Sequence, residues 1–295
     1  MIDKLEMFIA LAREEHFGRA AAACGVAQPT LSAALRQLED QLGVTLVWRG
    51  SRFRGLTPEG QRALEWARRI VGDARALRAE MKGAQGGLSG NLRLAAIPTA
   101  LPLVARLTAR FAAKRPDVRV SVLSRTSAEI LSMLENMEID AGISYLDAEP
   151  TGRLTATPLY EERYTLVVHA GDPLAGRDGL AWADLAATPL CLLTPDMQNR
   201  RIIDRQLDAA GAGARPRIES NSVIVLISHV LTGLWATILP ATTAAFFVAG
   251  GAALRAIPLH GPDVRHSVGL IAPLRAPPTP VLAALIREAE GIADL

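Results

Sequence analysis

Pro29, Ser32, Ala33 and Arg36 fall on one side of a short helical stretch whose entry carries Gln28 and Thr30. Small and hydrogen-bonding side chains around one guanidinium suit approach to base edges in a DNA major groove, where Arg pairs with guanine and Ser donates or accepts. An ordinary solvated face would carry the same residue types. Just downstream, Arg49, Arg52 and Arg54 crowd the turn Arg49-Gly50-Ser51-Arg52-Phe53-Arg54-Gly55. Three positive charges on a hairpin tip suit phosphate contact, with a solvated charge run as the bland alternative.

A second set of polar residues follows predicted strands and opens predicted helices: Pro98-Thr99-Ala100, Arg125-Thr126-Ser127, Thr194-Pro195 and Asn221. Hydroxyls beside backbone N–H groups at helix N-termini suit a carboxylate or similar anion. Any one of them also serves as a plain helix cap, so the reading rests on several converging on one cleft. Arg125, Arg200 and Arg201 are near enough in sequence to add positive charge. Reaction chemistry lacks a comparable pattern. No G-x-S-x-G, P-loop or H-E-x-x-H motif occurs, and the five histidines are scattered, so no catalytic residue, metal or cofactor is expected. Cys24 and Cys191 lie far apart, with Cys191 in a predicted core strand, which disfavours a redox pair.

The elements that must position these residues are legible in the pattern. Leu5, Phe8, Ile9 and Ala12 give a first helix; Gly18 breaks the run, a short Ala-rich helix covers 19–24, and a third covers 28–42, with Leu31, Leu35, Leu38 and Leu42 as its core stripe. Residues 44–48 read as a strand and 56–57 as its return, a wing beside a helix-turn-helix. Thr57, Pro58 and Glu59 start a long helix in which Leu64, Ala67, Val71, Ala74, Leu77 and Met81 form a stripe, ended by Gly83 and Gly86-Gly87. That stripe either folds back on its own domain or pairs with a twin. From Asn91 strand and helix alternate: strands at 92–97, 118–124 and 141–145, helices at 103–114 and 128–137. A second set has strands at 164–169, 190–193, 217–219 and 236–239 and helices at 200–210 and 223–232. A strand at 267–271 and a helix from 281 close the chain. Alternation of this kind predicts a mainly parallel sheet in each of two α/β lobes, with ligands in the cleft between them.

The whole sequence sets limits on function. At 295 residues it fits two or three domains, and 49% hydrophobic residues supply the cores. A net charge of +2 excludes a grip on nucleic acid by bulk charge and leaves local patches to do it. Neither a signal peptide nor a membrane span is apparent, so a soluble cytoplasmic protein is expected, with no membrane partner.

The string from HFGRAAAACGVAQPTLSAALRQLEDQLGVTLVWRG to LTPEG resembles the N-terminal signature of LysR-type transcriptional regulators in spacing as well as residue type. It departs at Ala27, where a Ser or Thr cap is common. The resemblance implies an all-α winged helix-turn-helix with a long linker helix, followed by a two-lobed α/β effector domain like that of periplasmic binding proteins. The divisions are 1–58 for the DNA-binding domain, 59–88 for the dimerisation helix and hinge, and 89–295 for the effector domain. Lobe I takes 89–162 and 267–295, lobe II 163–266. The expected partners are double-stranded promoter DNA, a small-molecule effector of carboxylate type, a second copy through the linker, a homotetramer of such dimers, and RNA polymerase. Residues 194–201 also resemble LysR-type regulators encoded beside formate dehydrogenase genes, which makes formate a candidate effector. The competing readings are a two-lobed solute-binding protein and a small-molecule enzyme using the same cleft.

Overall fold

The structure, a computed structural model, describes residues 1–48, 53–83, 88–146, 154–213, 215–251, 253–261, 265–274 and 277–293. It opens with α1 (Ile2–Glu14), α2 (Phe17–Ala23) and α3 (Gln28–Leu42). Phe8 and Leu11 of α1 share one buried cluster with Leu31, Leu35 and Leu38 of α3, around Ala20 and Ala21. Each such leucine contributes about 1.5–3 kcal/mol on burial. α2 starts before Gly18 rather than after it, because His16 Nδ1 accepts the N–H groups of Gly18 and Arg19 at 3.1 and 3.3 Å and so caps an earlier first turn. α3 opens on Ala27 without a side-chain cap and stops at Gly43, whose φ of 69° favours glycine.

The strand expected at 44–48 is only a single bridge from Val47 to Leu56. A buried carboxylate explains the loss: Glu39 Oε1 accepts the Leu46 N–H at 2.7 Å and the Val47 N–H at 3.4 Å, taking donors that a sheet ladder would otherwise use. The linker helix follows as α4 (Pro58–Gly83). Thr57 Oγ1 accepts the Gly60 N–H at 2.9 Å and donates to the Thr45 carbonyl at 2.6 Å. A Cβ at Gly60 would strike the Leu46 carbonyl, so glycine is what lets α4 start this close to the wing base. The stripe on α4 splits in two. Leu64, Ala67 and Val71 are buried in the cluster with α1, whereas Leu77 and Met81 are exposed together with Trp66 and Ile70.

Beyond α4 run β1 (Gly90–Ala96), α5 (Leu101–Lys114), β2 (Val118–Ser124), α6 (Ser127–Glu135), β3 (Ala141–Tyr145), β4 (Leu154–Glu162), β5 (Tyr164–His169), β6 (Leu180–Ala181), β7 (Cys191–Leu193), α7 (Gln198–Ala209), β8 (Ile218–Ser220), α8 (Val223–Val230), β9 (Thr237–Pro240), α9 (Ala241–Ala249), β10 (Leu254–His260), β11 (His266–Pro273) and α10 (Pro280–Ala293). Lobe I is a sheet ordered β2-β1-β3-β11-β4, with β1 parallel to β2 and β3. Lobe II holds the sheet β6-β10-β5-β9 and the pair β7-β8. Its β5 runs antiparallel to both neighbours, so the mainly parallel expectation fails there. The pattern missed β4, β6, α9 and β10. The chain crosses between lobes at Arg163, directly from β4 into β5, and again between β10 and β11.

Candidate DNA-reading surface and interlobe cleft

α3 presents Gln28, Pro29, Thr30, Ala33 and Arg36 to solvent, with Ser32 half-buried beside them. Leu31, Leu35 and Leu38 fix that orientation by filling the opposite side. Among the described residues Arg36 makes no ion pair, so its guanidinium is available to a ligand outside the domain. Arg54 is exposed at the wing base, where the Trp48 N–H donates to the Gly55 carbonyl at 3.1 Å. Arg49 and Arg52 lie outside the described residues.

Between the lobes lies a cavity of about 710 Å³. Of the expected effector residues, Pro98, Thr126 and Asn221 line it; Thr99, Ala100, Ser127, Thr194 and Pro195 do not. Thr99 is buried and its Oγ1 sits 3.5 Å from Glu162 Oε1, away from the cavity lining. Much of the wall is apolar: Phe246 and Phe247 come from α9, which the pattern did not reveal, and Leu101, Pro102 and Ile224 from α5 and α8, which it did. Arg125 from lobe I and Asp196 from lobe II bring opposite charges to it. Arg125 donates one Nη1 bond to the Ser124 carbonyl at 2.8 Å. Arg200 is not available: it is buried and holds Asp204, Glu219 and the Leu193 carbonyl, each at 2.7 Å, and against desolvation the two carboxylates raise its pKa. Arg201 is likewise occupied with Gln198 and the Asp196 carbonyl.

The LysR substrate binding domain family matches residues 85–292, and the bacterial regulatory helix-turn-helix family of LysR type matches residues 2–61. This chain belongs to the LysR family of transcriptional regulators. A relative from Mycobacterium avium named as a probable hydrogen peroxide-inducible genes activator is 35% identical over 241 residues, 80% of this chain and 76% of that protein. A full-length OxyR cysteine variant from Pseudomonas aeruginosa shares the fold, with TM-score 0.74 and 24% identity over 98% of this chain and 94% of that one. Full-length CbnR, a LysR family regulator solved with its target DNA, superposes with TM-score 0.59 and 24% identity over 99% of both chains. The family is one of regulators, not of solute-binding proteins or enzymes.

In this LysR-type regulator the region between the lobes holds a buried polar network that the sequence did not announce. Glu162 Oε2 accepts Tyr145 Oη at 2.6 Å and Tyr164 Oη at 3.2 Å; Oε1 accepts Tyr160 Oη at 3.2 Å. Desolvation pushes the Glu162 carboxyl up to about 7, ahead of the hydroxyl donors that favour its charged form, and burial raises all three tyrosines. Asn199 of α7 donates to Tyr145 Oη at 3.5 Å, and Thr243 of α9 donates to the Thr99 carbonyl at 2.6 Å, so both lobes join the network. Its two cysteines are apart: Cys24 on the DNA-binding side, and Cys191 fully buried in β7 with its thiol pushed up to about 11 by burial. Among the described residues no helix is long and apolar enough to cross a membrane, and no cluster of His, Cys, Asp or Glu could hold a metal.

Proposed function

We propose that this regulator reads promoter DNA through Gln28, Thr30, Ser32 and Arg36 of α3, with Arg49, Arg52 and Arg54 on phosphates, and that a small amphipathic carboxylate in the interlobe cleft modulates that binding. It acts as a dimer through the exposed side of α4, in the compartment that holds its DNA. The observation that carries the effector class is the cavity lining: an apolar wall built around Phe246, Phe247 and Ile224, with Arg125 for a carboxylate and Asp196 for a hydroxyl or amino group. A volume of about 710 Å³ is that of a site for a ring-sized molecule, which argues against formate as the occupant.

The relatives' peroxide response transfers poorly to a thiol mechanism here. A sensing thiol must be accessible and readily ionised. Cys191 is neither, and burial also raises the Cys24 thiol. One experiment on the full chain tests the reading: calorimetry against formate, aliphatic acids and hydroxylated or amino-substituted aromatic acids, with peroxide treatment followed by intact mass. Binding of the aromatic acids that weakens at least tenfold in Arg125→Ala, about 1.4 kcal/mol, supports it. Binding of formate alone, or a reversible mass gain that alters DNA affinity, would replace it. The same protein reports on DNA: Arg36→Ala is expected to lose about 1–3 kcal/mol on the cognate site, and Arg54→Ala to weaken all duplexes alike.

A further inference from the structure

α6 joins the cleft to the DNA-binding unit. Its first turn is part of the cleft, where Thr126 and Glu129 line the cavity and cap each other: the Glu129 N–H donates to Thr126 Oγ1 at 3.2 Å and the Thr126 N–H donates to Glu129 Oε2 at 2.8 Å. Its last turn ends against the DNA-binding unit. There the Met137 N–H reaches the Leu134 carbonyl at 3.1 Å and the Glu138 N–H the Met133 carbonyl at 2.9 Å, the paired bonds of a Schellman stop. That stop holds Met137 at φ 56°, a position glycine usually occupies. An L side chain is strained there, and observed strain asks what the side chain does.

The Met137 side chain is buried in the cluster of the DNA-binding unit, with residues of α1 and α4, and not in the core of its own lobe. Three arginines of that unit hold the same turn. Arg68 Nη2 donates to Asn136 Oδ1 at 2.7 Å, Arg75 Nη1 donates to the Met137 carbonyl at 3.3 Å, and Arg13 Nε lies 3.9 Å from Glu138 Oε1. Arg75 also grips Glu6 of α1 at 3.0 Å, so α1, α4 and the turn meet at one guanidinium. Between cleft and turn stand nine helical residues, roughly 13 Å of capped helix that resists stretching.

We infer that α6 is a coupling rod within one protomer: a rearrangement at the cleft shifts the turn at 136–138, and the turn sets how the DNA-binding unit is held. The cleft end of this inference rests on the ligand reading above; the grip on the DNA-binding unit does not. Coupling of this kind is established only when two distant changes stop acting independently. The test is a double-mutant cycle on the full chain without ligand, reading Kd for a fixed random-sequence duplex at constant salt. Met137→Gly removes the plug and suits the positive φ; Thr126→Val removes the cap at the cleft end. Each is expected to change Kd by about fivefold, and the pair to do no more than Met137→Gly alone, since the rod has then lost its outlet. If Met137→Gly does not fold, Asn136→Ala takes its place in the cycle. Effects that multiply independently, or a Thr126→Val protein with unchanged Kd, would overturn the inference. A cleft that binds none of the acids beside a cycle that shows coupling would remove the ligand reading and keep the rod.

Discussion

Glu162 sits between two demands: three tyrosine hydroxyls within 3.2 Å favour its anion, and complete burial favours its acid. Burial prevails, and the carboxyl is pushed up from 4.5 to about 7. A carboxyl raised in the folded state makes that state the better proton binder. Its contribution to stability is therefore full below about pH 4.5, declines as the unfolded chain ionises, and is gone once pH passes about 7; the span amounts to about 3 kcal/mol. The titratable groups around it are Tyr145, Tyr160 and Tyr164, with the His266 ring 6.2 Å from that of Tyr145. Urea unfolding at pH 5.5 and pH 8 is expected to show the native chain losing more stability on alkalinisation than Glu162→Gln, whose side chain cannot ionise. Equal losses in the two proteins would mean that Glu162 does not titrate in this range.

At the scale of elements, α4 does two jobs on two sides. Val71 is buried against α1, while Leu77 is 59% exposed, on the side that also carries Trp66 and Ile70. Leu77→Glu should then halve the mass in solution and leave the unfolding of the DNA-binding unit unchanged, whereas Val71→Ala should keep the dimer and cost about 2 kcal/mol. Sedimentation together with thermal unfolding distinguishes them, and a Leu77→Glu protein that stays dimeric would place the interface elsewhere. Among the elements legible in advance were α3, whose ends carry Pro29 and Gly43, and β2 and β3, short strands found at their expected limits although their burial does not alternate. β4 escaped because Pro158 interrupts it, and Pro is tolerated because β4 is an edge strand. β10 is likewise interrupted, by Pro258, although it lies between β6 and β5. α9 escaped because Ala241–Ala249 is apolar on all sides and gives no period. Those gaps hid Glu162, Phe246 and Phe247; of the expected hydroxyl-bearing residues Thr126 lines the cavity while Thr99, Ser127 and Thr194 do not, so the lining was legible only in part. Thr99 illustrates the limit of a local pattern, since its place after β1 was clear but the burial that turns it to Glu162 depends on β4.

At the scale of the molecule, lobe II is an excursion of the chain inside lobe I. β11 lies between β3 and β4, so β4 has no partner in its sheet until residues 266–273 exist. Both lobes therefore do not have the same history on the ribosome. The segment from β5 to β10 holds every strand of its own sheet, while lobe I waits with two open edges, on β3 and on β4, for some hundred residues of synthesis. Open edges of that kind are where strands pair with the wrong chain. A chain stopped after residue 261 should accordingly give a protease-resistant lobe II beside a fully digested lobe I, and protection of residues 90–162 in that fragment would refute the ordering. The dependence reaches the cell's quality control: a nonsense codon between 163 and 265 leaves α1 to α4 attached to an effector lobe that cannot close its sheet, and such a fragment is expected to be degraded and not to persist as an unregulated DNA binder.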